Sequence, residues 1–377
     1  MTQTLLFYRQ LKEALEQASV VIVATIVKTK GSTPREVGAK MAVCPDGRLI
    51  GTIGGGAGEA KVIEQALSLS NPEKRLVEID LTGAPRSDIQ GVCGGKVQVW
   101  IESWGGKGAI ALVKNIIELL AAGKSDKLVT PFGCDRHPYL ASESEQVCLG
   151  IERSSAEGSS AERSGAEGSS AESSSTDCFI EILQPQPILL IVGGGHIAVS
   201  LAHIASFAGF QIAVQDDRSE FVDIQRFPQA LHLSQSMSAI LDRLAAYAHP
   251  TSSQLYVALV ARGYQQDVSA LQAILQRPLA YKYVGAIGSQ KRIVMIRQAL
   301  QQQGISVERL HNFYAPIGLD IGALTPEEIA ISICGEIIKV RRGGTGLSLC
   351  ERIQQAETSA KVHAKIQTGE RLHANRR

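Results

Sequence analysis

The chain has 377 residues, 44% of them apolar, and a formal net charge of +1. That length suggests two domains, and the apolar share supports a sizeable core. The near-neutral balance argues against a general nucleic-acid binder, and no apolar run approaches the roughly 20 residues of a membrane helix.

Met1 to Gln17 carries Leu5, Leu11 and Leu15 among charged residues and reads as a surface helix. It lacks the basic start and apolar core of a secretory signal. Seven cysteines stand at 44, 93, 134, 148, 178, 334 and 350, without a C-x-x-C pair. They are expected to be reduced thiols in a cytoplasmic protein. The spacing supports no structural zinc site; Cys134 with His137 is one weak candidate pair.

Strand signals dominate the first half. The stretches 20–27, 41–43, 49–53, 76–79 and 97–101 are short, apolar and bounded by turns, with Pro45-Asp46-Gly47 a strong turn between two of them. Helices are expected at 59–68 and 109–122. This predicts a mixed α+β N-terminal domain over 1–183. Residues 153–176 repeat a five-residue Ser/Ala/Glu/Gly unit with almost nothing to bury, and read as a disordered insertion inside that domain. Cys178 to Leu183 follows as a strand. Gln184-Pro185-Gln186-Pro187 then marks a domain boundary.

From 188 the pattern alternates. Strands are expected at 188–192, 211–216, 255–260 and 281–287. Helices are expected at 197–208, 236–247, 267–276, 290–303 and 326–341. Such alternation predicts an α/β domain over 188–345, a Rossmann-like doubly wound parallel sheet, with 346–377 as a tail. Thr325-Pro326-Glu327-Glu328 reads as a capping box.

Three glycine segments carry candidate chemistry. Gly193-x-Gly195-x-x-Ala198 follows a strand and opens a helix, the order of a dinucleotide fingerprint. His196 stands at the helix start. Asp216 and Asp217 stand about twenty residues on, where a carboxylate binds ribose hydroxyls. Arg218 beside them could meet a 2′-phosphate or be a plain surface residue. Gly285 to Arg292, with Gly288 and Ser289, is a second anion-friendly turn. In the first half, Gly31-Ser32-Thr33-Pro34-Arg35 and Lys40 mix donors and cations. Gly55 and Gly56 belong to a glycine turn that opens a helix, and Cys93 sits in a third glycine cluster. Asp320 either holds its apolar loop or reaches a ligand. No nucleophile–base pair is visible, so no catalytic residue is assigned.

Taken together, GSTPREVGAKM (31–41), GTIGGGAGEA (51–60), CGG (93–95), LLIVGGGHIA (189–198), DDR (216–218), YVGAIGSQKR (283–292) and APIGLDIGALTPEEIAISICGEIIKVRRG (315–343) resemble the XdhC/CoxI family, the xanthine dehydrogenase accessory proteins. The resemblance implies a chaperone that binds molybdenum cofactor, assists its sulfuration with a cysteine desulfurase, and serves a xanthine dehydrogenase-type molybdoenzyme. It makes Cys93 the candidate for molybdenum contact. Two departures stand out. Ala57 occupies a place where many members have cysteine, and Tyr264 occupies a histidine position. The fingerprint at 193–217 leaves two alternatives open: an NAD(P)-dependent oxidoreductase, or a module that senses another nucleotide. A homodimer is also open, with the helix at 326–341 as one available surface. Neither nucleic acid nor membrane is expected as a partner.

Overall fold

The computed structural model describes residues 3–68, 74–81, 94–132, 136–141, 178–248, 253–305 and 313–355. The 153–176 repeat, Cys93, Cys134 and Cys148 lie outside them. The chain forms two compact units. One comprises Met1–Ile188 with Gly209–Gln211 and Asp242–Leu255; the other comprises Leu189–Ala208, Ile212–Leu241 and Tyr256–Arg377.

The first unit is built on a five-stranded antiparallel sheet of order β3-β2-β1-β5-β4. Its strands are β1 (Val20–Lys30), β2 (Lys40–Val43), β3 (Leu49–Gly51), β4 (Lys74–Asp80) and β5 (Lys96–Gly105). Strand alternation divides its apolar residues between two faces. Val21 and Val23 face one core with Ala42, Ile50 and Trp104. Ala24 and Ile26 face another with Met41, Val99 and Ile101. Helix α1 (Gln3–Gln17) and helix α3 (Gly106–Ala121) cover the first face; helix α2 (Gly56–Leu67) covers the second through Val62 and Ala66.

The helix expected at the N-terminus is present as α1, with one face turned inward and the other exposed. Phe7, Tyr8, Leu11, Ala14 and Leu15 of α1 are buried. Their spacing puts all five on one stripe, which packs with Val113, Ile116 and Leu120 of α3. A second antiparallel sheet, of order β7-β6-β8, uses β6 (Asp126–Pro131), β7 (Tyr139–Ala141) and β8 (Cys178–Leu183).

The second sheet system is α/β. Strands β9 (Ile188–Val192), β10 (Gln211–Gln215), β11 (Ala230–Ser234), β12 (Leu255–Leu259), β13 (Tyr283–Ala286) and β14 (Phe313–Tyr314) form a six-stranded parallel sheet. Its order is β11-β10-β9-β12-β13-β14. In this order the chain reverses direction between β9 and β12, the switch point where open α/β sheets leave a crevice. β9 and β12 are buried along their whole length, as central parallel strands must be. The helices are α4 (His196–Phe207), α5 (Met237–Leu244), α6 (Tyr264–Gln276), α7 (Gln290–Gln302) and α8 (Pro326–Arg342). At the start of α8, Thr325 accepts from the Glu328 N–H at 3.3 Å while Glu328 accepts from the Thr325 N–H at 3.1 Å. This is the expected capping box. No described helix is long and apolar enough to cross a membrane.

Candidate functional site

In the first unit, three glycine segments come together. A side-chain carbon at Gly31 would lie 3.0 Å from the Gly94 carbonyl oxygen, and one at Gly95 would collide with the Ser32 carbonyl. One at Gly54, where φ is +142°, would lie 2.7 Å from Cγ of Pro34. The loop 31–35 is therefore the hub, with the turn at 54–56 and the segment at 94–95 packed against it. Only glycine permits these approaches. Cys93 directly precedes Gly94 in sequence but lies outside the described residues.

The turn at 54–56 does not hold out all its donors to a ligand. The Glu59 carboxylate, one turn into α2, accepts from the Ile53 N–H at 3.1 Å, the Gly55 N–H at 3.2 Å and the Thr52 hydroxyl. A resident anion fills part of the cradle that the sequence suggested for a ligand. Gly55 and Gly56 are exposed, and side chains there would meet nothing within 4 Å. Ala57, in the first turn of α2, is exposed as well.

The two cations expected beside this turn differ. Lys40 is drawn inward: Nζ lies 2.7 Å from Oε2 of Glu181, with the two side chains 7% and 13% exposed, and donates to the Thr25 hydroxyl at 3.2 Å. Lys40, expected as a ligand contact, here forms an ion pair between β2 and β8. Arg35 is half-buried on the hub loop, and its guanidinium has no polar partner among the described residues.

In the second unit, the turn after β9 is shaped by contact with its neighbours. Gly193 has φ +105°, and a side-chain carbon there would lie 2.8 Å from the Val260 carbonyl oxygen. A side chain at Gly194 would collide with the Phe221 backbone. Gly195 caps α4 and is open, with nothing within 4 Å of an added carbon. His196 is exposed at the first helical position and makes no capping hydrogen bond.

Asp216 is the acid placed for a ribose, yet its carboxylate is spent internally. Oδ2 accepts from the Gly194 N–H at 2.8 Å and Nη2 of Arg218 at 2.9 Å. Oδ1 accepts from the Arg218 N–H at 3.0 Å and Nε at 2.9 Å. Burial raises its pKa, but these hydrogen bonds outweigh burial and hold it at about 2. Asp216, expected at a ribose, here braces the glycine turn. Arg218 is equally committed, and its guanidinium carbon also lies 3.4 Å above the Phe221 ring centre. Asp217 points elsewhere. Its side chain is 59% exposed and meets Arg262 at 3.2 Å.

A cleft of about 380 Å³ opens at the switch point. It is lined by Val192, Gly193, Asp217, Met237, Arg262 and Gln266, among others. Of the predicted residues it gathers Gly193, Asp216 and Asp217; Gly195 and His196 are outside its lining.

The second anion-friendly turn is also tied down. Ser289 caps α7 by accepting from the Arg292 N–H at 3.3 Å. Arg292 donates through Nε to Oδ2 of Asp267 at 2.8 Å, through Nη2 to the same oxygen, and through Nη2 to the Ala261 carbonyl at 3.3 Å. Burial lifts the Asp267 pKa to about 6 despite that partner. Gly285 fits closely under Ile317, and Gly288 lies against the Arg292 stem. The 315–322 loop is bolted to α8, because Glu336 accepts from the Gly318 N–H at 3.0 Å and from the Tyr283 hydroxyl. Asp320 is exposed on it. Sequence reading missed Glu59, Glu181, Asp267 and Glu336, the four carboxylates that satisfy these loops from within. Among the described residues, no group of three His, Cys, Asp or Glu side chains could hold a metal ion.

Comparison with known proteins agrees with this architecture. Residues 14–80 match the XdhC and CoxI family, and residues 189–337 match the XdhC Rossmann domain, together more than half of the chain. The chain belongs to the XdhC and CoxI family. Its relatives include a probable xanthine dehydrogenase subunit from Bacillus subtilis, 26% identical over 342 residues, which span 89% of this chain and 98% of that one. The molybdenum cofactor insertion chaperone PaoD of Escherichia coli is 25% identical over 330 residues, 87% of this chain and 86% of PaoD. Another relative, the uncharacterized protein YqeB of Escherichia coli, is 26% identical over 334 residues, and the match spans 45% of its length. A crystal structure of a xanthine dehydrogenase from Bacillus halodurans superimposes with a TM-score of 0.64 at 25% identity, covering 89% of this chain and 96% of that one.

Proposed function

We propose that this XdhC/CoxI protein binds molybdenum cofactor as cargo and delivers it to a molybdoenzyme of the xanthine dehydrogenase type, receiving sulfur for it from a cysteine desulfurase. The observation that carries the reading is the hub loop of the first unit. Segments bearing the family motifs pack onto it, and it presents Arg35 without a polar partner among the described residues. The cargo carries a phosphate, and a guanidinium offers a phosphate two parallel donors. Cys93, next to Gly94 in sequence, is the proposed thiol for the metal end. The relationship to PaoD supports the same cargo.

The test is co-elution. Purified full-length protein is mixed with molybdenum cofactor released from a denatured molybdoenzyme, and molybdenum is measured in the protein peak. The reading expects molybdenum to travel with the protein. Its absence from the peak at micromolar concentrations rejects the reading.

A further inference from the structure

The switch-point cleft carries a specificity of its own, independent of the chaperone reading. Val192, Met237, Ala261 and Ala270 contribute apolar surface to its lining. Gln265 and Ser269 of α6, with Asp217 and Arg262, contribute polar and charged groups. A volume near 380 Å³ suits a small organic ligand with one flat apolar part and a few polar groups. Its place, beyond the carboxyl ends of β9, β10 and β12, is where such a sheet takes a nucleoside.

The charges decide which nucleoside. A ribose with free hydroxyls needs a carboxylate acceptor, and a 2′-phosphate needs an unpaired cation. Asp216 is occupied by four hydrogen bonds, so Asp217 is the acid that remains at the cleft. Three arginines are candidates for a phosphate, and of these Arg262 alone belongs to the cleft's lining. Arg218 is held in a two-pronged pair with Asp216 and lies over Phe221. Arg226 donates to the Gly194 carbonyl at 2.9 Å. Arg262 is paired with Asp217 itself. Within the cleft's lining a 2′-phosphate would therefore meet a carboxylate and a guanidinium already paired with it.

We infer that the cleft binds a ribonucleoside diphosphate through an unphosphorylated ribose, with Asp217 accepting from the ribose hydroxyls, and rejects nucleotides phosphorylated at the 2′ position. The base lies against Val192, Met237 and Ala261. Asp216 already takes the Gly194 N–H, so the phosphates take their donors from the first turn of α4, past the open Gly195. Arg262 orients Asp217.

Calorimetric titration of the full-length protein with ADP, GDP, CDP and UDP, and with adenosine 2′,5′-diphosphate, tests this. At least one 5′-diphosphate should bind about tenfold or more tightly than the 2′,5′ compound. Asp217→Asn should cost the 5′-diphosphate about tenfold, and should improve the 2′,5′ compound, because it removes the repelling charge and frees Arg262. Loss of an exposed side chain's charge leaves the fold intact, so a purely structural role for Asp217 would not produce these opposite changes. Equal or tighter binding of the 2′,5′ compound by the unaltered protein overturns the inference. Failure of all four 5′-diphosphates to bind at millimolar concentration overturns it too, as does an unchanged preference in the variant. The readout is nucleotide affinity rather than molybdenum co-elution, so either reading can fail without the other.

Discussion

Replacing Asp216 by Asn tests the brace beneath the second glycine turn. The amide keeps one acceptor but sets an NH2 group against two donors, the Gly194 N–H and Arg218 Nη2. An Asn resembles the protonated acid, so the pKa gives the scale. A folded pKa of about 2 against an ordinary value of 3.8 corresponds to about 2 kcal/mol in favour of the ionised form. Because the folded value is depressed, this stabilisation is fully present above the unfolded pKa and is lost as pH falls through the folded one. The gap between the two proteins should be about 2 kcal/mol at pH 7, and about half of that at pH 3. Asp267, raised to about 6, acts in the opposite sense: its contribution is lost as pH rises from the unfolded value through 6. It is present in both proteins, so the difference between them isolates Asp216. Trp100 and Trp104 both belong to the first unit, so tryptophan fluorescence would miss the effect. Urea unfolding followed by circular dichroism, with hydrogen exchange over 189–216, reads the second unit. A gap below about 0.5 kcal/mol at pH 7, or one that does not shrink towards pH 3, would refute the brace.

Three further outcomes are expected. Gly193→Ala should cost at least about 2 kcal/mol, because of its positive φ and the nearby Val260 carbonyl, while Gly195→Ala should stay within about 0.5 kcal/mol; thermal melts of the pair decide whether the turn is read correctly. Lys40→Met leaves the half-buried Glu181 without its cation and should destabilise the first unit by about 1–3 kcal/mol, read by tryptophan fluorescence in urea. A smaller loss, near that of an exposed pair, would mean the pair is not structural. Glu59→Ala should lower the melting temperature by releasing the Ile53 and Gly55 N–H groups, at a cost of about 1–3 kcal/mol; an unchanged melt would show that the turn holds itself.

Most strands of the two large sheets were legible because their signals are local. A continuous apolar run marked β9, and short apolar stretches bounded by turns marked β1 and β5. Strands β6, β7, β11 and β14 passed unnoticed. β6 contains Pro131, and β11 is half polar as an edge strand, which hides the pattern. The stripe on α1 was readable from its spacing, since Phe7, Leu11, Ala14 and Leu15 recur at helical intervals.

The glycine turns were equally plain, but their saturation was not. Which carboxylate fills which turn depends on distance in space. Glu181 lies 141 residues from Lys40, and no local pattern joins them. Two signals were within reach. Glu59 follows Gly55 by four residues, one helical turn, so its carboxylate can fold back onto that N–H. Asp216 and Asp217 are adjacent at a strand end, so their side chains must diverge, one to the turn and one to the cleft.

The central claim is that the hub loop of the first unit, through Arg35, holds molybdenum cofactor. Its most direct measurement is the molybdenum content of the protein peak for the unaltered chain and for Arg35→Ala after incubation with released cofactor. The account predicts molybdenum with the unaltered protein and at least about a tenfold loss in the variant, with both melting at the same temperature. Equal molybdenum in the two peaks would contradict it.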